Sequence, residues 1–266
     1  MSHSISPDPE PGVHDYYKLC TTPERFSQQM YWLRELGYFG VNLAHGLAWL
    51  DNIETSEIKH LLESGLKPVA ITFDDGFEDN YTCAFPVLKQ HKFSATIYIP
   101  TSYIGDSETR HTFRGRPCIT WNEARAMQDY GIEFGSHTAR HPVLTKLSDQ
   151  EVLAEIEESK ARILARLGTE ARTFAYPFAF PEANRHFTQR LLNHLQLNGF
   201  TSCVTTSVGV AKRNSNRYTT PRLPVNSRDD RVLFQWKLLG AYTWLGTIQS
   251  ILKNTRSLLE RKQSAN

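Results

Sequence analysis

The sequence is poor in the features that mark a disulfide scaffold, a nucleic-acid binder or a membrane span. It has only four cysteines, Cys20, Cys83, Cys118 and Cys203, widely scattered and without a Cys-x-x-Cys pair. That spacing argues for reduced, buried small residues and against a disulfide framework or a thiolate metal site. Charge of one sign is not in excess either: 30 basic side chains face 28 acidic ones, a formal net charge of +2. The basic surplus of a phosphate-backbone binder is missing, so nucleic acid is not an expected partner. The opening Met1-Ser-His-Ser-Ile-Ser-Pro-Asp-Pro has neither a basic start nor an apolar run. No export signal is therefore visible, which leaves the location open and slightly favours the cytoplasm. No Ser/Gly linker, repeat or low-complexity stretch marks a domain boundary. The most apolar span, Val232 to Leu252, is interrupted by Gln235, Lys237 and Gln249, which favours a helix packed on the protein over a spanning one.

What is present is an alternation of strand-like and helix-like segments. Thr22-Pro23-Glu24 opens a helix carrying Phe26, Met30, Leu33 and Leu36, closed by Gly37. Val69 to Phe73 is a short apolar run that ends at an acidic pair and reads as a buried strand. Ala84 to Gln90 suits a helix and Ser94 to Ile99 the next strand. Thr120-x-x-Glu123 and Ser148-x-x-Glu151 have the spacing of capping boxes. The first opens a helix to about Tyr130; the second opens one with Val152, Ile156, Ile163, Leu164 and Leu167 on one face and a stop at Gly168. Ile132 to Gly135, Arg172 to Tyr176 and Phe200 to Thr205 read as further strands, and Asn184 to Leu197 as a helix. The repeated alternation predicts an α/β fold with a parallel sheet, and the number of repeats in 266 residues suits a barrel.

Two constellations carry chemistry. Asp74-Asp75-Gly76 follows an apolar strand directly, at what is the catalytic end in a barrel. Adjacent residues leaving a strand point in different directions, so one carboxylate can bind a metal while its neighbour faces a reacting water. Taken alone, Asp-Asp-Gly also suits an ordinary polar turn. His137 and His141 stand four apart, a spacing that brings two imidazoles to one side of a helical turn and presents two nitrogens to one divalent ion. Asp75 would complete a facial set of three ligands with open positions for water and substrate. Two isolated histidines could equally lie on the surface, but these follow a strand just as the aspartates do.

Here the sequence resembles the polysaccharide deacetylases, the NodB-homology domains of carbohydrate esterase family 4. Thr72-Phe-Asp-Asp-Gly76 is similar to the family's first motif, Ser136-His-Thr-Ala-Arg-His-Pro142 to its second and Phe174-Ala-Tyr-Pro-Phe178 to its third. Asp79-Asn80-Tyr81, Trp121-Asn-Glu123 and Leu144 to Leu147 agree as well, so the resemblance runs from about Phe26 to Val225. It implies a distorted (β/α) barrel of about seven parallel strands, with residues 1–228 as the deacetylase domain and 229–266 as a helical extension packed on or beside it. It also implies one divalent ion, zinc before cobalt or nickel, held by Asp75, His137 and His141, with Asp74 as general base and the Phe178 N–H as oxyanion donor. The substrate it implies is an N-acetylated glycan that loses acetate. Hydrolysis of another linear or cyclic amide, or carbohydrate binding without catalysis, are the alternatives.

The sequence departs from the pattern in three places, the smallest being Ala179 where relatives often follow the third motif with Gly. Ala175 stands where many members carry the arginine that holds the catalytic aspartate; Arg222, in Pro221-Arg-Leu-Pro-Val225, resembles the arginine that relatives with a Phe-Ala-Tyr-Pro motif place late, and would pair with Asp74. The late Leu-x-x-His motif that supplies a general acid is missing. In a branch acting on poly-N-acetylglucosamine an N-terminal histidine replaces it, which makes His3 the candidate acid and His14 a weaker one. Met1 to Ser6 would then have to run beside the strand that ends at Asp74. Finally, Trp236, Tyr242 and Trp244 near Lys253 and Arg256 suggest that Val232 to Leu252 offers an apolar patch to a membrane surface or partner.

Overall fold

The computed structural model describes residues 1–7, 13, 18–53, 56, 59, 63–106 and 109–241. His14 and positions 242–252 of the apolar C-terminal span lie outside these described residues.

In chain order the elements are β1 (Ser4–Ile5), β2 (Cys20–Thr21), α1 (Pro23–Glu35), β3 (Tyr38–Val41), α2 (Leu43–Leu50), β4 (Lys67–Ala70) and β5 (Thr72–Phe73). A π-helical turn, Asn80–Ala84, leads into α3 (Phe85–His91), followed by β6 (Thr96–Ile99), β7 (Thr112–Phe113), β8 (Arg116–Pro117), α4 (Trp121–Tyr130) and β9 (Glu133–Ser136). Then come α5 (Asp149–Leu167), β10 (Thr173–Ala175), α6 (Arg185–Leu197), β11 (Ser202–Val208), β12 (Thr220–Arg222) and α7 (Arg231–Leu238).

The main sheet has six strands in the order β12-β11-β10-β9-β6-β5, all pairs parallel. Every strand lies beside its predecessor, the β7–β8 hairpin aside, so the sheet winds one way, as a barrel requires and a doubly wound sheet does not. The N-terminal segment joins its two edges. Ser2 bridges Phe73 in parallel, with Ser2 N–H to Thr72 O at 3.0 Å and Asp74 N–H to Ser2 O at 3.1 Å. On the other side Val225 N–H donates to Met1 O at 3.0 Å. The expected first strand beside Asp74 is present only as the single Ser2–Phe73 bridge, since β1 pairs with β2 in a separate two-stranded sheet; the segment closes the seam of the six-stranded sheet.

Local signals act as the sequence suggests. Thr22 caps α1 with Pro23 in its first turn, and α1 buries Phe26, Met30 and Leu33. Both capping boxes form, and α4 and α5 end on left-handed Gly131 and Gly168. Leu164 does not join the buried face of α5: it is 43% exposed, because that face runs through Val152, Ile156, Ile163 and Leu167 and Leu164 lies about 100° round from Ile163. The expected strand 69–73 is two strands. β4 pairs with β3, β5 pairs with β6, and Ile71 between them donates to Val41 O and accepts from Thr96 N–H.

The strand alternation separates two cores. Ile97, Ile99, Phe134, Phe174 and Cys203 belong to the large apolar cluster shared with the helices, whereas Tyr98, Ala175 and Val204 gather with Leu43 on the inner side. α7 packs on α1 through Trp32 and Phe234, ring centroids 5.9 Å apart, and leaves Val232, Trp236 and Leu239 exposed. Among the described residues no helix is long and apolar enough to cross a membrane.

Inside the barrel, Tyr98 is fully buried and its hydroxyl meets Thr173 Oγ1 at 2.9 Å. It fits because residue 135 is glycine: a Cβ there would stand 2.5 Å from two carbons of the Tyr98 ring. Gly135→Ala is therefore expected to cost ~1–3 kcal/mol of stability by overpacking. Urea unfolding checks this, and an unshifted midpoint would contradict the packing described.

Candidate active site

β5 ends on the acidic pair, and the two carboxylates meet opposite surroundings. Asp74 is 2% exposed and gripped by Arg222 from β12, with Nη1 to Oδ1 at 2.6 Å and Nη2 to Oδ2 at 2.7 Å. Arg222 is itself fixed by Nε to Thr205 O at 3.1 Å and lies over the Tyr98 ring at 5.7 Å. Burial alone would raise the Asp74 carboxyl, but the charge and hydrogen bonds of Arg222 outweigh it and hold Asp74 well below the usual carboxylate range. Asp75 sits in a left-handed conformation, φ 72°, as does Gly76 at 62°, and this reversal turns the second carboxylate away from the first. Burial and then the Asp74 charge push Asp75 up to about 7.

The histidines come from the chain after β9. They do not lie on a helical turn: residues 137–141 form a bend with Thr138 at φ 67° and His141 at 55°. Glu155 of α5 holds it, its Oε2 accepting from Ala139 N–H at 2.9 Å and Arg140 N–H at 2.8 Å, while Thr138 Oγ1 accepts from His141 N–H at 2.9 Å. His137 Nδ1 donates to Ala175 O at 2.8 Å; a carbonyl only accepts, so Nε2 is left as the free lone pair. That Nε2 lies 3.5 Å from Asp75 Oδ1, and His141 Nε2 lies 3.4 Å from the same oxygen. Burial lowers both histidines, His141 also through the charge of His137, which keeps them in the neutral, ligating form.

These residues fit a divalent ion. One ligand atom from each of Asp75, His137 and His141 lies within 4.8 Å of the others, and all three residues are buried. Asp75 Oδ1 has no hydrogen-bond partner, so a buried carboxylate oxygen faces two neutral imidazoles with its hydrogen-bonding capacity unmet.

The remaining expected residues surround this cluster. His3 Nε2 lies 3.9 Å from Asp74 Oδ2, its side chain 15% exposed. The Asp79-Asn80 pair fastens the segment that carries it: Asn80 Nδ2 donates to His3 O at 2.8 Å, Ile5 N–H donates to Asp79 Oδ1 at 2.9 Å, and the Ser4 hydroxyl donates to Asp79 Oδ2. Burial pushes His3 down to about 4, so it is uncharged at neutral pH. Phe178 adopts φ 60° and stacks edge-on against His141, centroids 4.7 Å apart. An apolar cavity of about 420 Å³ lies elsewhere, behind Arg222 among Phe26, Met30, Leu47, Val69 and Phe234, and none of Asp75, His137 and His141 lines it.

Two residues near the site escaped the sequence reading. Glu155 is 4% exposed on the apolar register of α5, and its signal was a carboxylate in step with Val152, Ile156 and Ile163. Arg114, at the tip of the β7–β8 hairpin, has its guanidinium 5.1 Å from the Phe113 ring and 5.0 Å from that of Phe178. Nothing local in the sequence announces it.

A family model described as polysaccharide deacetylase matches residues 63–201, more than half of the chain. The chain belongs to the polysaccharide deacetylase family. Deacetylases of this family generally use a divalent metal ion, which agrees with the Asp75, His137 and His141 cluster. YxkH of Bacillus subtilis (strain 168) is 28% identical over 230 residues, spanning 85% of this chain and 70% of that protein. The poly-beta-1,6-N-acetyl-D-glucosamine N-deacetylase of Staphylococcus aureus (strain MSSA476) is 24% identical over 211 residues, 76% of this chain and 66% of that one. Among solved structures, Streptococcus pyogenes deacetylase PplD in complex with acetate superposes with a TM-score of 0.68 at 21% identity, covering 89% of this chain and 95% of that chain. IcaB from Ammonifex degensii superposes with a TM-score of 0.68 at 23% identity, covering 88% and 94%. The polysaccharide deacetylase barrel expected from the motifs is therefore the observed fold. His3 and Arg222 lie outside the matched residues, so their places rest on the geometry above.

Arg222→Gln tests that geometry. It leaves a buried carboxylate unpaired, which is expected to cost ~3–5 kcal/mol. Burial, the largest contribution, then acts on Asp74 without the guanidinium to oppose it and raises its pKa. As the expected general base, Asp74 works only when deprotonated, so the acid limb of kcat/KM should move to higher pH. A limb that stays in place in a folded variant would contradict the role of Arg222.

Proposed function

We propose that the chain hydrolyses the N-acetyl groups of an N-acetylated polysaccharide, with a polymer of N-acetylglucosamine as the leading substrate, and releases acetate. The observation that carries this reading is the adjacent pair of buried carboxylates with opposite partners: Asp74 bound to a guanidinium and Asp75 facing two imidazoles. Such a split assigns one carboxylate to proton transfer and the other to ligation. Similarity to a protein named as a poly-beta-1,6-N-acetyl-D-glucosamine N-deacetylase supports the substrate class.

Each residue has a part that follows from its surroundings. Asp75, His137 and His141 would hold the ion. Asp74, kept ionised and aimed by Arg222, takes the proton of the attacking water as the oxygen bonds to the acetamide carbon. An anion so well stabilised is a weak base and needs a water more acidic than bulk water; a divalent ion, when bound, supplies that acidity and polarises the acetamide carbonyl. The Phe178 amide, carried beside His141, donates to the oxygen that gains charge. The carbon-nitrogen bond then breaks as the nitrogen receives a proton, giving acetate and an amine. His3 is the donor in this reading. It enters the cycle uncharged, so its proton must be gained within the cycle, and its neighbour Asp74 is the group that has just accepted one.

Asp74→Asn should keep the ion and lose ~10²–10⁴-fold in kcat, whereas the His137→Ala, His141→Ala double variant should lose the ion itself. Metal analysis beside acetate-release kinetics makes the distinction; unchanged metal content in the double variant sinks the ligand assignment. His3→Ala should fall in kcat with metal retained, and near-normal turnover with an unaltered alkaline limb would hand the acid's role to His14 or to none.

A further inference from the structure

The β7–β8 hairpin turns through Arg114 and Gly115 at φ 51° and 74°, both left-handed, the geometry of a two-residue type I′ turn. Its first central position ordinarily takes Asn, Asp or Gly, yet here it carries an arginine. The side chain is held in a definite place. Its guanidinium lies over the Phe113 and Phe178 rings, at 5.1 and 5.0 Å, and both rings pack on His141 with centroids 5.1 and 4.7 Å away. Arg114 is exposed, and among the described residues no carboxylate stands within ion-pair distance of it. Its charge still reaches the cluster beneath, where it opposes protonation of His137 and His141 and favours ionised Asp75. A cation with no carboxylate partner among the described residues therefore sits on the rim beside His141.

N-deacetylation itself gives that cation a meaning. Each turnover replaces a neutral acetamide by a basic amine that takes up a proton on the acid side of neutrality, so the reaction writes positive charge onto the polymer. A sugar lying against the exposed Phe178 ring meets the guanidinium. We propose that Arg114 is a specificity-determining residue that reads the charge of the sugar beside the one being deacetylated, admitting a neutral N-acetylated unit and disfavouring a glucosammonium. The inference rests on the N-deacetylation reading above. Its consequence is spacing: acetyl groups are removed from separated units more readily than from neighbours. Arginine suits the task because it stays charged at every working pH and stacks on aromatic faces. Two unit charges ~8 Å apart, at an effective dielectric of ~40, repel by enough to change kcat/KM about fivefold. Such an effect weakens with salt, since the screening length is ~8 Å at physiological ionic strength.

The test compares two substrates within each variant, so that any general loss of folded or active protein cancels. Acetate release is measured for the metal-loaded full chain on a fully acetylated β-1,6-linked N-acetylglucosamine pentamer and on the same pentamer with one unit already deacetylated. Wild type should prefer the fully acetylated pentamer at low salt by more than the loss of one acetyl group accounts for, because units beside the glucosammonium are slowed about fivefold, and the preference should shrink at ~1 M salt, where screening reaches to ~3 Å. Arg114→Lys should keep the preference, Arg114→Gln should bring the ratio towards the value set by the number of acetyl groups alone, and Arg114→Glu should reverse it. A ratio that is the same in all four proteins, or an equal loss on both pentamers in Arg114→Gln, overturns the proposal while the N-deacetylation reading stands. Absence of acetate release by wild type from either pentamer overturns that reading and this inference with it.

Discussion

The bidentate pair between Arg222 and Asp74 is the interaction on which the rest of the site depends. It joins residues 148 positions apart, from the two edge strands of the six-stranded sheet, within a region where both side chains are at most 5% exposed. A buried ion pair is poor evidence of net stability, because desolvation offsets much of the attraction. What it provides is position and protonation state. The guanidinium fork admits the carboxylate in one orientation, keeps it ionised despite burial, and aligns the strand end that also presents Asp75. The N-terminal segment closes the same seam with backbone bonds to Thr72, Asp74 and Val225, so the seam of the barrel and the setting of Asp74 are built from the same contacts.

From that anchor the opposite surroundings of the two aspartates follow. Left-handed backbone at Asp75 and Gly76 reverses the chain immediately after Asp74, and a side chain at position 76 would meet Ile99 Cγ2 at 2.8 Å. Asp75 consequently leaves the guanidinium and faces His137 and His141. Glu155 supplies the matching constraint from the other side, since it holds the bend that carries both histidines.

The sequence was most legible where a local rule has one solution. Capping boxes at Thr120 and Ser148, glycine stops, and the Asp74-Asp75 pair and the His137/His141 pair each depend on residues a few positions apart, whereas the meeting of the two pairs is set by the fold. Arg222 and His3 were legible only through resemblance, because their partner is remote in the chain. The helical reading of His137 to His141 went astray because spacing by four is also reached by a bend when Thr138 and His141 take left-handed angles, which β-branched and aromatic side chains rarely do. The break of the expected strand 69–73 at Ile71 depends on β3, whose four residues carry no strong pattern of their own. Arg114 was invisible for a related reason: its place is set by Phe113 beside it and by Phe178 on another element.

The claim at the centre of this account is that a divalent ion at Asp75, His137 and His141 makes the chain a deacetylase. Titration of zinc into chelator-stripped protein, followed by acetate release from a β-1,6-linked N-acetylglucosamine oligomer, addresses it most directly. Activity should be absent after stripping and return in proportion to zinc, levelling off at about one ion per chain. Acetate release that survives stripping, or that no divalent ion restores in a protein still folded, would contradict it.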